Sequence, residues 1–183
     1  TGYIGKRLLP VLVESGHQVV CCVRDLKRFN IPQSLRLKVS AIEVDLSSLA
    51  SLSKIPQDIE AGYYLVHSMA KKDYLKTELD CALNFRESLA KTNIKHLIYL
   101  SGIVNEKTLS KHLISRRNVE QELSLGKYYF TSIRSGIIIG SGSASFEIIR
   151  DLVEKLPIMI APKWLLTRSQ PIAISDVIKI LNK

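Results

Sequence analysis

The chain has 183 residues, 46% hydrophobic and 23% charged, which is enough apolar content for one buried core and too much for a disordered segment. Its formal net charge of +9 would suit nucleic acid, anionic lipid or a phosphate-rich ligand. The 26 Lys and Arg are scattered, however, without a basic block or a basic motif interleaved with aromatics, which argues against nucleic acid as the main partner. Three cysteines, Cys21, Cys22 and Cys81, cannot build a disulfide framework. The adjacent pair suits buried thiols in a reducing cytoplasm. No apolar run approaches the ~18 residues that a membrane span requires, so no membrane partner is expected.

In chain order, the first signal is the opening TGYIG, a G-x-x-G spacing that leads into an amphipathic helix predicted over residues 4–15. In a doubly wound nucleotide-binding fold, a glycine turn brings backbone amides close to the ligand phosphates, which rest on the N-terminus of the first helix. Thr1, Gly2, Tyr3, Ile4 and Gly5 form the candidate phosphate turn, Gly2 for close backbone approach and Gly5 for packing of the helix on the sheet. The first glycine of such a turn, and the strand before it, would lie upstream of Thr1. The next strand, expected over 17–24, ends in Arg24 and Asp25, with Lys27 and Arg28 behind. At that place an acid holds a ribose 2′-hydroxyl and a basic group holds a 2′-phosphate. Arg24 can grip phosphate through two parallel hydrogen bonds, so NADP is expected over NAD, while Asp25 is read as a cap for the following turn. A surface Arg and Asp pair at a strand end is the alternative.

Further strands are expected over 37–45, 61–67, 96–101 and 128–139. Helices are expected over 47–55, 73–92 and 109–125, the second of them carrying Leu75, Leu79, Ala82 and Leu89 at helical spacing. A helix near 145–156, a loop rich in Pro and Trp, and a short helix opening at Ser175 or Asp176 complete the pattern. Continuous apolar runs such as QVVCCV and HLIYL suit parallel strands covered on both faces. Strands alternating with helices predict an α/β fold, a doubly wound parallel Rossmann sheet lacking its first strand in this chain. Residues 1–183 read as one compact domain, with 140–183 contributing the substrate-side segment.

Several sites can be set aside or left open. His17, His67, His96 and His112 show no ligand spacing, and Cys21 and Cys22 lack a second cysteine pair, so no metal site is expected. The stretch GSGSAS lacks the serine placement of a nucleophile elbow. Arg134, a charge inside SIRSGIIIG, needs an acidic partner or a ligand. The loop Gly140 to Ser145 suits close approach to nicotinamide or substrate, and equally a connector. The tail from Pro157 to Pro171, with Trp164 and Arg168, is expected to wall the substrate side.

The segments TGYIG, CVRD, VDLSS, GYYLVHSM and HLIYLSGI, followed by TSIRSGIIIGSGSASF and QPIAISDV, together resemble the atypical and extended short-chain dehydrogenase/reductases, especially their NmrA-like branch. The resemblance runs over nearly the whole chain. It implies an NAD(P)-binding Rossmann domain, with Asp45 and Leu46 near the adenine and with Val66, His67 and Ser68 near the ribose. Asp45 reads equally well as a cap for a helix starting at Ser47. A satisfied core or strand-end imidazole is the favoured reading of His67 over a catalytic one.

One departure from the family pattern matters. Typical members carry a Tyr and a Lys four residues apart on one helix face, the Lys lowering the phenol pKa and the Tyr passing a proton. Here LSKHLISRRNVE places His112 at the Tyr position and Arg116 at the Lys position, still sharing a face at i, i+4, with Arg117 and Glu120 following. Arg cannot release a proton near neutral pH, whereas His112 can. Ser101, at least one position early for the family's catalytic Ser, is assigned to the cofactor side. These readings lead to an NADP-dependent reductase of a carbonyl or a C=C bond in a small molecule, with His112 or water as the proton source. The rival is a non-catalytic, NmrA-like dinucleotide sensor that reports to a protein partner, a reading favoured by the missing Tyr and Lys.

Overall fold

A computed structural model of the chain describes residues 2–67, 73–103, 110–155 and 169–183. They form two compact units, Thr1–Arg134 and Ser135–Lys183.

The first unit opens with helix α1, Tyr3–Glu14, which buries Leu8, Leu9 and Leu12 on one stripe and packs beside strand β1. It stops at Gly16, whose φ of +94° lies in the left-handed region that a side chain would disfavour. Strand β1, Val19–Val23, pairs in parallel with β2, Val39–Glu43, with Val19 opposite Val39. Two short 3₁₀ turns, Leu26–Arg28 and Gln33–Leu35, fill the connection. They are too short for the helical period to announce them. Asp25 caps the first turn, as expected, by accepting the Lys27 amide at 2.8 Å.

Helix α2, Leu49–Leu52, is shorter than predicted and takes Ser48 as its N-cap. Strand β3, Ala61–Tyr64, then runs parallel to β4, His96–Gly102, across helix α3, Tyr74–Leu89. Helix α4, Lys111–Ser124, capped by the Ser110 hydroxyl, leads to β5, Tyr129–Ser135, and the three strands stand in the order β3-β4-β5. Leu97 through Ser101 are all buried on β4, which is what its unbroken apolar run requires of a central strand. Around β4 the core gathers Leu52, Tyr64, Phe85, Leu89, Leu97 and Leu123, with α3 against α4.

In the second unit, β6, Ile138–Ile139, pairs in parallel with β7, Ile172–Ala173, and carries helices α5, Ala144–Lys155, and α6, Ile174–Leu181. A Cβ on Gly136 would collide with the carbonyl oxygen of Gln170, so only glycine fits where these two segments meet.

The α/β class with parallel sheets agrees with the sequence reading, and three details differ. The strand expected over 128–139 breaks between Ser135 and Ile138. Helix α6 starts one residue before Ser175, so Asp176 lies in its first turn, where its charge favours the helix dipole, and Ala173 takes the N-cap position. Cys22 is exposed and Cys21 half-buried rather than both buried, since adjacent strand residues face opposite sides and Cys22 lies on the side open to solvent. The expected wall from Pro157 onward lies outside the described residues up to Arg168. Among the described residues no helix is long and apolar enough to cross a membrane.

Candidate cofactor and active site

No side chain at the head of α1 opposes an anion. Gly2 occupies the N-cap position in an extended conformation and supplies no side-chain cap, and the first turn holds no acidic residue. The leading backbone N–H groups of α1 therefore have no capping side chain, and the partial positive charge of the helix end is uncompensated. A Cβ at Gly2 would meet nothing within 4 Å among the described residues. This arrangement fits a pyrophosphate, whose oxygens need such donors. Tyr3 leaves its phenol oxygen buried and without a hydrogen bond, and its ring carries the Arg7 guanidinium 3.9 Å from the centroid. A Cβ at Gly5 would come only to 4.0 Å from Leu65 Cδ1, an ordinary contact, so the packing role expected for Gly5 is not demanded by these neighbours.

Arg24 stands exposed just past the end of β1 and makes no ion pair among the described residues. Asp25 does not compete for it, being engaged with the Lys27 amide and with Arg28 at 3.4 Å. Burial raises the Cys81 thiol pKa, and Arg24 is close enough to oppose that rise. An unpaired, solvated guanidinium at this strand end fits a phosphate group. Asp45 accepts both the amide and the hydroxyl of Ser47, at 2.9 and 2.8 Å, in the turn that precedes α2. Leu46 packs its side chain on the core, and its carbonyl accepts from Asn84 at 3.0 Å. Val66 is exposed. Thr1 and Ser68 lie outside the described residues.

The predicted His112 and Arg116 meet a partner set that spacing along the chain did not reveal. His112 Nε2 lies 2.8 Å from His67 Nε2, with the rings nearly perpendicular at 78°. On the other side of the His67 ring, Nδ1 is 2.8 Å from Glu78 Oε1, within ion-pair distance though without an aligned hydrogen bond. Glu78 is buried, and its second oxygen accepts the buried Ser115 hydroxyl in a very short contact. A small cavity of about 30 Å³, roughly one water in volume, adjoins Glu78 between Tyr64, Tyr99 and Val119. Burial, then the neighbouring His67 and Arg116, hold the His112 pKa below the usual imidazole value, while Glu78 pulls the other way.

Arg116 donates from Nη1 to the Leu100 carbonyl at 3.0 Å, near the end of β4, and its Nε is buried without a partner. A buried guanidinium N–H left unpaired is costly, so this group suits a ligand hydroxyl or phosphate oxygen. Close by in sequence, Arg134 finds the acid it needed: Glu120 receives its Nη2 at 2.6 Å and its Nε at 3.2 Å. Burial pushes the Glu120 carboxyl up, but hydrogen bonding from Arg134 and then the nearby Ser132 hydroxyl, which makes no aligned hydrogen bond, outweigh this and lower it. The Ser101 hydroxyl, buried within β4 rather than after it, faces the same carboxylate without an aligned hydrogen bond.

Glu78 and Ser115 are the site residues that sequence reasoning missed. One signal was present: Glu78, Ala82, Phe85 and Leu89 follow a 4-3-4 spacing, so the acid sits on the apolar stripe of α3 and must find a partner. Among the described residues no group of three or more His, Cys, Asp or Glu is placed to hold a metal ion.

Parallel strands linked by helices, an uncapped helix head behind a glycine and a free guanidinium past β1 together define a dinucleotide-binding Rossmann domain. A family model described as NAD(P)H-binding matches residues 1–139, and the chain belongs to that family. This agrees with the resemblance to the atypical and extended short-chain dehydrogenase/reductases. Comparison with curated protein sequences finds no match. Among solved structures, the chain is similar to a UDP-glucuronic acid 4-epimerase mutant from Bacillus cereus in complex with NAD, at 22% identity and a TM-score of 0.71, covering 97% of this chain and 68% of that one. It is also similar to a UDP-glucose 4-epimerase from Thermotoga maritima, at 15% identity and a TM-score of 0.72, over 97% and 68% of the two chains. A triphenylmethane reductase from Citrobacter sp. complexed with NADP(H) matches at 15% identity and a TM-score of 0.61, over 75% of this chain and 47% of that one. The chain thus spans about two-thirds of the epimerases and about half of the reductase.

Proposed function

We propose that this chain is the dinucleotide-binding part of an NADPH-dependent oxidoreductase that reduces a carbonyl or a C=C bond in a small molecule. The observation that carries this reading is the ionisable ring of His112, one helical turn from Arg116 and tied through His67 to a buried carboxylate. NADPH, when bound, supplies the hydride. The chain's own groups bind, orient and protonate. The amides at the head of α1 receive the pyrophosphate, and Arg24 takes the 2′-phosphate that distinguishes NADPH from NADH. Arg116, through its unpaired Nε, holds a ribose hydroxyl. His112 gives a proton to the substrate as charge develops on it. Three free thiols suit a reducing, cytoplasmic setting.

A second reading, a non-catalytic dinucleotide sensor reporting to a protein partner, draws support from Arg116, whose Nη1 is committed to the Leu100 carbonyl and which cannot release a proton. Nicotinamide absorbance followed against a panel of carbonyl and enoyl compounds separates the two. Turnover that falls at least about 100-fold in His112→Ala is expected of a general acid. NADPH binding with no turnover on any compound supports the sensor, and turnover equal in His112→Ala overturns the role given to His112.

A further inference from the structure

We infer that His67 is a positioning residue which, anchored by the buried carboxylate of Glu78, fixes the tautomer of His112 and so assigns the transferable proton to His112 Nδ1. The inference rests on the proposed role of His112 as proton source, and it adds a relay that the i, i+4 pair does not contain.

The argument starts from the 2.8 Å separation of two ring nitrogens, His67 Nε2 and His112 Nε2. Two imidazole nitrogens approach so closely only with a single proton between them, so one must donate and the other accept. Either direction satisfies that pair alone, and Glu78 decides. Its Oε1 lies 2.8 Å from His67 Nδ1, and its Oε2 accepts from Ser115, which leaves it an acceptor on both oxygens. A carboxylate charge that close favours a proton on the facing His67 Nδ1 electrostatically, the contact being an ion-pair approach and not an aligned hydrogen bond. In its neutral form His67 then presents a bare Nε2, and His112 donates from its own Nε2. Among the described residues His112 Nδ1 makes no hydrogen bond. It is the one ring position left to gain or lose a proton.

The proton count closes without rearrangement. Protonated His112 carries hydrogen on both nitrogens. As hydride adds to the carbonyl carbon, the Nδ1–H bond breaks and an O–H bond forms on the substrate. His112 is left neutral with its Nε2–H still donated to His67, and water restores the Nδ1 proton. The groups that face this relay are Tyr64 from β3, Glu78 and Cys81 from α3, Tyr99 from β4 and Arg116 from α4. Burial, His67 and Arg116 oppose a charge on His112, and Glu78 offsets them only in part.

Ring nitrogen NMR of the histidine-labelled full chain, without any nucleotide, tests the inference. Free histidine prefers its neutral proton on Nε2, so the relay requires the minority form at His67, with Nδ1–H, and Nε2–H at His112. In Glu78→Gln, which keeps the side-chain size, part of the population is expected to flip, and both rings flip together because they share one proton. In His67→Phe, His112 loses its tether and its titration midpoint moves. With an active substrate, kcat is expected to fall roughly 10- to 100-fold in either variant with KM little changed, the signature of a misplaced general acid. A wild-type His67 carrying its proton on Nε2, or an unchanged His112 spectrum in both variants, overturns the relay. Minority-form tautomers in a chain that turns over none of the panel would uphold the relay and overturn the reductase reading. Turnover with His67 in the Nε2–H form would do the reverse.

Discussion

Placing a carboxylate at the head of α1, with Gly2→Asp, should separate fold stability from cofactor binding. Gly2 has φ −77° and ψ −169°, an extended conformation that an N-cap Asp adopts readily, and its Cβ would meet nothing within 4 Å. The substitution therefore carries no steric cost. Asp outranks Gly as an N-cap by a few tenths of a kcal/mol, and its charge at the helix head adds about 0.3 to 1 more. For a chain of this size that raises Tm by roughly 1 to 4 °C. Binding moves the other way, because the new carboxylate occupies the donors a pyrophosphate needs and repels it. Losing two charge-assisted hydrogen bonds at about 1.5 kcal/mol each weakens NADPH by roughly 100-fold. Thermal melting and calorimetric titration of the same preparation measure both effects. Unchanged NADPH affinity would refute the assignment of these amides, and a Tm several degrees lower would refute the account of how α1 begins.

Other predictions concern protons and packing. His112 is held below the usual imidazole value, chiefly by burial, so the reduction rate should fall as pH rises through a midpoint below 6.5, a limb absent from the pH profile of His112→Gln. The Glu120 carboxyl is lowered in the fold, with Arg134 the largest cause acting downward. Its contribution is complete above the ordinary value of 4.5 and is lost as pH falls through the folded value. Denaturant melts of Glu120→Gln should show a shallower loss of stability below that pH, by about 1 kcal/mol or less, since Arg134 is half exposed. In the second unit, Gly136→Ala drives a methyl group into the Gln170 carbonyl oxygen and should cost roughly 1 to 3 kcal/mol. Hydrogen exchange at the Ile172 amide, which donates to Ile137 at 2.9 Å, should quicken as β6 and β7 part.

Much of the fold was legible because its signals are local. The apolar run HLIYL made a buried strand of β4, and the helical period placed α1, α3 and α4 to within a few residues. Boundaries failed where a local backbone event outweighs the pattern, as at Gly136 between β5 and β6. The site was legible only in part. His112 and Arg116 stood out because i, i+4 spacing is a helix property. The link from His112 to His67 joins residues 45 apart, and the link from Ser115 to Glu78 joins residues 37 apart. Tertiary packing alone brings such pairs together, and the misplaced acid on the α3 stripe was the single trace of it in the sequence. Arg134 illustrates the converse: a charge in an apolar run announced a missing partner, and the structure supplied Glu120.

Parallel calorimetric titration of the wild-type chain and Arg24→Ala with NADPH and with NADH bears most directly on the central claim, that the amides heading α1 and the guanidinium past β1 together grip one dinucleotide. The expected result is NADPH bound more tightly than NADH by wild type. The substitution should weaken NADPH by roughly 10-fold or more while leaving NADH unchanged, because Arg24 has no ion-pair partner among the described residues for the change to orphan. Equal affinity of wild type for the two nucleotides, or no binding of either at millimolar concentration, would contradict it.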